Sequence, residues 1–285
     1  MSIDRGVLYI VATPLGNLGD MSPRAVEVLS GVTLIAAEDT RHSALLLRHF
    51  GVRTPCIALH EHNEREVSPA LLERLAKGDS VALISDAGTP LISDPGYHLV
   101  HTARVHGIRV TPIPGPCALI AALSASGLPS DRFVFEGFLP ARSGARRTRL
   151  MELCNEPRTL IFYESPHRII DCIDDMTTVF GADRPAVIAR ELTKLFETIH
   201  NATLTELSTW LCADTNQQKG EFVILVQGSM LEHSSESEIE AQRIVQILMA
   251  ELPVKQAAAL AAQITGLKKN ALYDYALRLK DSEPG

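Results

Sequence analysis

The sequence predicts an α/β protein: a largely parallel sheet with helices on both faces, then a mixed sheet, then a helical tail. Three observations predict it. Short apolar runs alternate with helical stretches through the first 117 residues, the pattern of linked βαβ units. Further on, strand-like runs lie closer together, which favours a partly antiparallel sheet. Beyond a polar, Ser-rich stretch at 228–238, everything reads as helix. The expected divisions are an α/β domain at 1–117, a second at 118–228 and a helical tail at 238–285, with 228–238 as linker.

Each element has a local reason. The run 7–12 is apolar and ends in Pro and Gly, as a buried strand and its loop do. Ser22-Pro23 supplies an N-cap and a first helical residue. A second strand is read at 34–37. Thr40 is expected to cap a helix carrying Leu45, Leu46, Leu47 and Phe50, which Gly51 stops. A third strand is read at 57–59. Ser68-Pro69 should open the next helix, and Gly78 should end it. Strands at 81–84 and 110–113 flank a helix at 97–106, and a helix at 118–126 leads into the second part. There, strands are expected at 133–137, 160–163, 186–189, 197–200 and 222–227, with helices at 146–154, 167–180 and 204–212. The tail divides into helices at 239–252, 255–265 and 270–280, with Gly266 between the last two.

Composition excludes several classes. The chain has 285 residues, 46% hydrophobic and 21% charged, as an ordinary globular protein does. Its formal charge of −7 gives no general attraction to polyanions, so any such site must be local. Cys56, Cys117, Cys154, Cys172 and Cys212 form no C-x-x-C and read as small hydrophobes of a reducing cytosol. The first apolar run is too short for a signal peptide, and no run approaches the roughly 20 residues of a membrane span. A cytoplasmic location and no membrane partner are expected. His60 and His62 flank Glu61, but no second Cys/His pair completes a metal set, so no metal is expected.

The chemistry-bearing loops follow strands. Ser85 to Gly96 reads S-D-A-G-T-P-L-I-S-D-P-G, directly after an apolar run. Loops at the carboxyl ends of parallel strands are where such sheets place ligands. Glycines let the backbone approach a ligand, prolines stiffen the loop, and Asp86 and Asp94 can accept hydrogen bonds from hydroxyls or an amino group. The first loop, T-P-L-G-N-L-G-D at 13–20, lacks G-x-G-x-x-G, and no G-x-x-x-x-G-K-[ST] occurs anywhere. A third loop, P-G-P-C-A at 114–118, follows the fifth strand. Together they suit a flat adenine and ribose held by backbone groups. The candidate binding residues are Pro14, Gly16, Asp86, Gly88, Thr89, Pro90, Leu91, Ile92, Gly115, Pro116, Cys117 and Ala118.

T-P-L-G-N-L-G-D, A-A-E-D-T-R-H, S-D-A-G-T-P-L-I-S-D-P-G, P-G-P-C-A, F-Y-E-S-P-H-R and R-E-L-T-K occur in this order. In them the chain resembles the bacterial small-subunit ribosomal RNA cytidine 2′-O-methyltransferases of the tetrapyrrole-methylase superfamily. The resemblance spans essentially the whole chain. It implies two α/β domains of the tetrapyrrole-methylase type with S-adenosylmethionine in the cleft between them. It also implies a cytosolic homodimer that acts on 16S RNA in an assembled or nearly assembled subunit. The first loop departs from the G-x-G-P-G-D-like loop of porphyrin-acting members, which favours the RNA branch. A tetrapyrrole-precursor methylase, or a non-catalytic helix-turn-helix nucleic-acid-binding protein, are the competing readings.

Methyl transfer needs alignment and a destination for the hydroxyl proton. Two charged clusters follow strands of the second part: Glu164 with Arg168, and Arg190, Glu191 and Lys194. They read either as catalytic groups or as an ion-pair network joining the domains. Arg142, Arg146, Arg147 and Arg149 lie within eight residues of sequence at a helix start, the unfavourable end for cations. RNA phosphate is the partner expected for them. In the tail, Gly266 sits in a turn before Lys268 and Lys269, as in a helix-turn-helix. RNA binding and bundle packing are both open for this tail.

Overall fold

The computed structural model describes residues 3–229 and 235–282, without the side chains of 235–239, 281 and 282. The chain forms two compact units, Met1–Gly228 and Ser229–Gly285. Both sheets belong to the first unit, so the division expected at residue 117 runs within one compact body.

The first sheet holds β1 (Val7–Val11), β2 (Leu34–Ala37), β3 (Cys56–Ala58), β4 (Val81–Ile84) and β5 (Arg109–Ile113), in the order β3-β2-β4-β1-β5. Every pairing is parallel. Strands β2 and β4 are buried at every position, which is why they read as unbroken apolar runs. Helices α1 (Pro23–Gly31) and α2 (Thr40–His49) cover one face through Val28, Leu29 and Leu47. Helices α3 (Glu64–Ala76) and α4 (Tyr97–Val105) cover the other through Leu71, Leu75 and Leu99.

Local rules located most of these elements and misplaced two starts. Ser22 caps α1, accepting from the Ala25 amide, with Pro23 at the first helical position. The cap of α2 is Asp39, which accepts from the Arg41 amide; Thr40 is already helical. Helix α3 begins at Glu64, so Pro69 lies inside it and does not open it. Asn63 explains the earlier start. Its side chain accepts from the His60 amide and donates to the Ala58 carbonyl, turning the chain into the helix before Ser68 is reached.

The second sheet is mixed, in the order β6-β7-β10-β8-β9. It comprises β6 (Phe133–Phe138), β7 (Thr159–Glu164), β8 (Pro185–Arg190), β9 (Thr198–Thr203) and β10 (Phe222–Val226). Strands β6 and β7 are parallel, and the other pairs are antiparallel. Its faces are covered unequally. Helices α6 (Ser143–Leu153), α7 (Ile169–Phe180) and α8 (Leu204–Ala213) bury Phe162, Ile188 and Ile224. On the opposite face α5 (Ala118–Ser126) packs against Ile161, Val187 and Leu225.

The second unit holds α9 (Ser235–Met249), α10 (Val254–Thr265) and α11 (Lys269–Ser282). Ala241, Ala258, Ala261 and Ala276 are fully buried, so these helices approach closely around small side chains. Gly266, at φ +73°, ends α10, and three residues separate it from α11. Of the expected linker, 235–238 is already helical, and 230–234 lies outside the described residues. Among the described residues, no helix is long and apolar enough to cross a membrane.

Candidate active site

Topology places the site. Strand β4 lies between β2 and β1, whose following helices α2 and α1 cover one face. The helix after β4, α4, covers the other. Loops diverging to opposite faces open a crevice at the carboxyl ends of these strands.

Hydrogen bonds tie the three loops into one wall. Thr13 and Gly88 exchange amide-to-carbonyl hydrogen bonds of 2.8 and 3.0 Å. The Thr13 hydroxyl donates to the Ser85 carbonyl, and the Thr89 hydroxyl to the Pro116 carbonyl at 2.9 Å. Gly88 has φ +82°, and a Cβ there would stand 3.1 Å from the Leu15 side chain and 3.7 Å from the Pro116 carbonyl oxygen. At Gly115 a Cβ would meet that of Ala12 at 2.8 Å. Asp86, Gly88, Thr89, Ile92, Cys117 and Ala118 line a cleft of about 530 Å³. Pro14, Gly16, Pro90, Leu91, Gly115 and Pro116 do not line it; they belong to the loops behind it. Leu91 and Ser93 hold φ of +74° and +68°, strain of the kind that marks functional loops.

The cleft is acidic on this side. Glu38, directly after β2, accepts from the Asp86 amide, and Asp86 in turn accepts from the Asp39 amide. Asp94 completes the group. Burial, with the nearby charges of Glu38 and Asp86, pushes the Asp94 carboxyl up to about 7, against a hydrogen bond from Ser85. Burial raises Glu38 as well, with the charges of Asp86 and Asp39 adding to it. The strand-end rule that found Asp86 applied equally to Glu38, which stands in the A-A-E-D-T-R-H motif.

The second sheet supplies the facing wall, through Phe138, Tyr163, Ala189, Leu192 and Val223. The Tyr163 hydroxyl accepts from the Leu119 amide at the start of α5, and burial raises its pKa against that bond. Glu221 also lines the cleft. It precedes β10, which runs antiparallel to β7 and β8, so its amino end lies beside their carboxyl ends. Reading only carboxyl ends of strands misses it.

The charged clusters are largely paired. Glu164 alternates with Phe162 and Leu160 toward the α6–α8 face, and its side chain is 1% exposed. It accepts from the Ser165 amide at 2.8 Å and from Arg168 at 3.0 Å, while Arg168 also donates to the Leu139 carbonyl. This pair anchors the β7–α7 turn, and Glu164 also borders the cleft. Arg190 shares the parity of Ile188 and Ala186, is buried, and donates to the Lys219 carbonyl, away from the cleft face of Ala189. Lys194 bridges Glu191 at 2.9 Å and Glu221 at 2.7 Å. Burial opposes its charge, but the two carboxylates outweigh this and raise its pKa, which favours its cationic form. Glu191 is lowered: burial works the other way, but Lys194 and the Glu221 amide prevail. The Lys194 stem lies against Gly16, where a Cβ would come within 2.5 Å of its Cγ, so the cluster fastens the first loop to the second sheet.

The arginine-rich helix start is corrected in part. Arg146 is 2% exposed and bonds Asp175 at 2.7 Å, so it cannot reach a phosphate. Arg147 pairs with the same carboxylate, which is 4% exposed. Arg149 pairs with Glu136 and Glu152. A buried carboxylate on α7, invisible in the local sequence, justifies cations at this helix start. Arg142 is exposed and pairs with no carboxylate among the described residues. Lys268 and Lys269 are exposed in the turn and first residue of α11. Among the described residues no His/Cys/Asp/Glu group could hold a metal ion.

Two packed sheets with a loop-walled acidic cleft define a methylase of the tetrapyrrole type. The chain belongs to that family, the Tetrapyrrole (Corrin/Porphyrin) Methylases, whose pattern matches residues 7–208. Residues 235–280 match the RsmI C-terminal HTH domain. More narrowly, the chain is 61% identical over 274 residues to Ribosomal RNA small subunit methyltransferase I of Pseudomonas aeruginosa, covering 96% of this chain and 97% of that one. The protein of the same name from Escherichia coli O157:H7 is 58% identical, with 96% and 95% covered. Among solved structures, the methyltransferase CobJ superposes with a TM-score of 0.58 at 19% identity, over 78% of this chain and 94% of that one. A uroporphyrin-III C-methyl transferase of Thermus thermophilus, complexed with S-adenyl homocysteine, gives 0.54 at 18%, over 77% and 96%. At such identities the likeness is one of fold.

Proposed function

We propose that this chain methylates the ribose 2′-hydroxyl of a cytidine in 16S ribosomal RNA, with S-adenosylmethionine as donor. The observation that carries the reading is the cleft: glycine-backed loops tied by hydrogen bonds on one side, three carboxylates, and an aromatic wall opposite. It fits the donor's chemistry. Glu38 and Asp86 complement an ammonium and a sulfonium, and the cradle that a Cβ at Gly88 would narrow suits a flat group held by backbone. When bound, the donor supplies an electrophilic methyl group for in-line displacement by the ribose oxygen. The names and identity of the relatives support ribosomal RNA as acceptor.

The protein's own part is alignment, which can supply much of the acceleration. The loop wall holds one substrate, and the second sheet presents the other to it. The hydroxyl proton needs an acceptor, and Asp94, raised to about 7, is matched to that task near neutral pH. Arg142 with the exposed edge of Arg147, and Lys268 with Lys269, are the proposed phosphate contacts. The working form is proposed to be a cytoplasmic homodimer acting on an assembled or nearly assembled subunit.

The test is transfer of label. The protein is incubated with methyl-labelled donor and, separately, unmethylated small subunits, free 16S RNA and a porphyrinogen. Label on a cytidine ribose of the subunit is the expected result. Label on the porphyrinogen alone would establish the tetrapyrrole reading instead.

A further inference from the structure

We infer that Phe138 is the platform on which the acceptor nucleotide's base stacks, an inference that rests on the RNA methylation proposed above. Phe138 lines the cleft yet is 54% exposed, whereas the other lining aromatics are half-buried (Tyr163) or buried (Phe222). A large apolar ring left in water at a cleft mouth has a contact still to make.

Its position is built. In the β6–β7 ladder, Phe135 pairs with Ile161, but the next pair is Gly137 with Phe162, then Phe138 with Tyr163. Glu136 is the extra residue of a bulge. Side chains alternate along a strand, so without the bulge Phe135 and Phe138 would point to opposite faces. With it, both reach the cleft face and both meet Tyr163 edge-on, at ring separations of 4.9 and 5.8 Å. Bulges beside active sites re-aim side chains in this way. Gly137 permits it at φ +65°, and a Cβ there would stand 3.0 Å from Ser93 Oγ of the loop wall. The extruded Glu136 is held by Arg149, at 2.9 Å from Nε and 2.7 Å from Nη2. The bulge, the loop wall and the arginine-rich helix thus all fix one exposed ring.

The acceptor base suits this ring better than the donor's adenine or a second subunit does. Four residue steps, at most roughly 14 Å of chain, lead from Phe138 to the exposed Arg142. A nucleotide whose base lies on the ring would carry its phosphate toward that cation. Single-stranded RNA bases are held by such aromatic faces, and a base brought out for chemistry needs a surface to replace its lost stacking.

The experiment compares wild type with Phe138→Ala, Phe138→Tyr and Phe138→Trp on unmethylated small subunits. Phe138→Ala should lower kcat/KM roughly ten- to hundredfold, while the two aromatic variants retain most of it. Donor affinity by calorimetry and the sedimentation coefficient should not change. In Phe138→Trp, the new fluorescence should be quenched by oligocytidylate and not by S-adenosylhomocysteine. Normal turnover by Phe138→Ala would overturn the inference. So would a parallel loss of donor affinity, which assigns the ring to adenine, or altered sedimentation, which assigns it to a subunit contact. A wild type that labels no ribosomal RNA would fell the functional reading first, before any variant is compared.

Discussion

The two walls of the cleft are made by different means. The first-sheet wall is loop: its shape comes from glycines, backbone pairs such as Thr13 with Gly88, and carboxylates that cross-link successive loops. The second-sheet wall is strand: Tyr163, Ala189 and Val223 project from a hydrogen-bonded ladder, and the buried pairs Glu164–Arg168 and Arg146–Asp175 hold the helices behind it. A loop wall can place backbone groups against a ligand. A strand wall presents side-chain surface, and its rigidity comes from packing. The contrast teaches that charge in this protein has two uses. In the loop wall carboxylates face the cleft, whereas in the strand wall most charges are paired to brace it.

The largest expected effect breaks that brace. Asp175→Ala leaves Arg146 buried without its partner, and losing one member of a buried pair costs about 3–5 kcal/mol. Thermal unfolding should show a clear drop in Tm. An unchanged Tm would mean that Arg146 finds water or another acceptor, and that its pairing is incidental.

Next in size is a change in the loop wall. Gly88→Val puts a β-branched residue at φ +82° and crowds Leu15 and Pro116. Donor affinity should fall at least about tenfold, at a left-handed cost of roughly 1–2 kcal/mol, while the protein stays folded. Calorimetry decides, and an unaltered affinity in a folded variant would remove this loop from the donor site.

The smallest effect is graded and concerns pH. Asp94 must be ionised to accept a proton, and its pKa of about 7 means that it is mostly protonated at pH 6. The kcat/KM for methyl transfer should therefore rise with pH through 7, reaching at pH 8 about ten times its value at pH 6. The stability sign is the reverse. The folded carboxyl binds its proton more tightly than the unfolded one, so stability falls as pH rises from about 4 to 7. Asp94→Asn should flatten both profiles. A rising rate profile that survives this change would place the titrating group elsewhere.

Much of the fold was legible because local physics sets it. Strands β2 and β4 are continuous apolar runs because both of their faces are covered, and Ser22-Pro23 starts α1 by satisfying its free amides. The loop wall was legible for a similar reason. Glycine and proline after an apolar run carry their geometry with them, so Gly88 and Asp86 could be picked without knowing the neighbours.

What the sequence could not determine is where a charge finds its partner. Arg146 looked like a phosphate ligand until Asp175, from another helix, came to meet it. Glu164 was open as a base or an ion-pair member, and the fold paired it with Arg168. Glu221 entered the cleft because β10 runs backwards beside β7 and β8, and Phe138 because one extra residue in β6 changed its face. By itself, the sequence determined the elements, the loop wall and the family. Tertiary structure decided which charges are buried in pairs and which side chains face the cleft. Pairing and facing depend on strand direction and register between segments far apart in the chain, and local composition does not encode them.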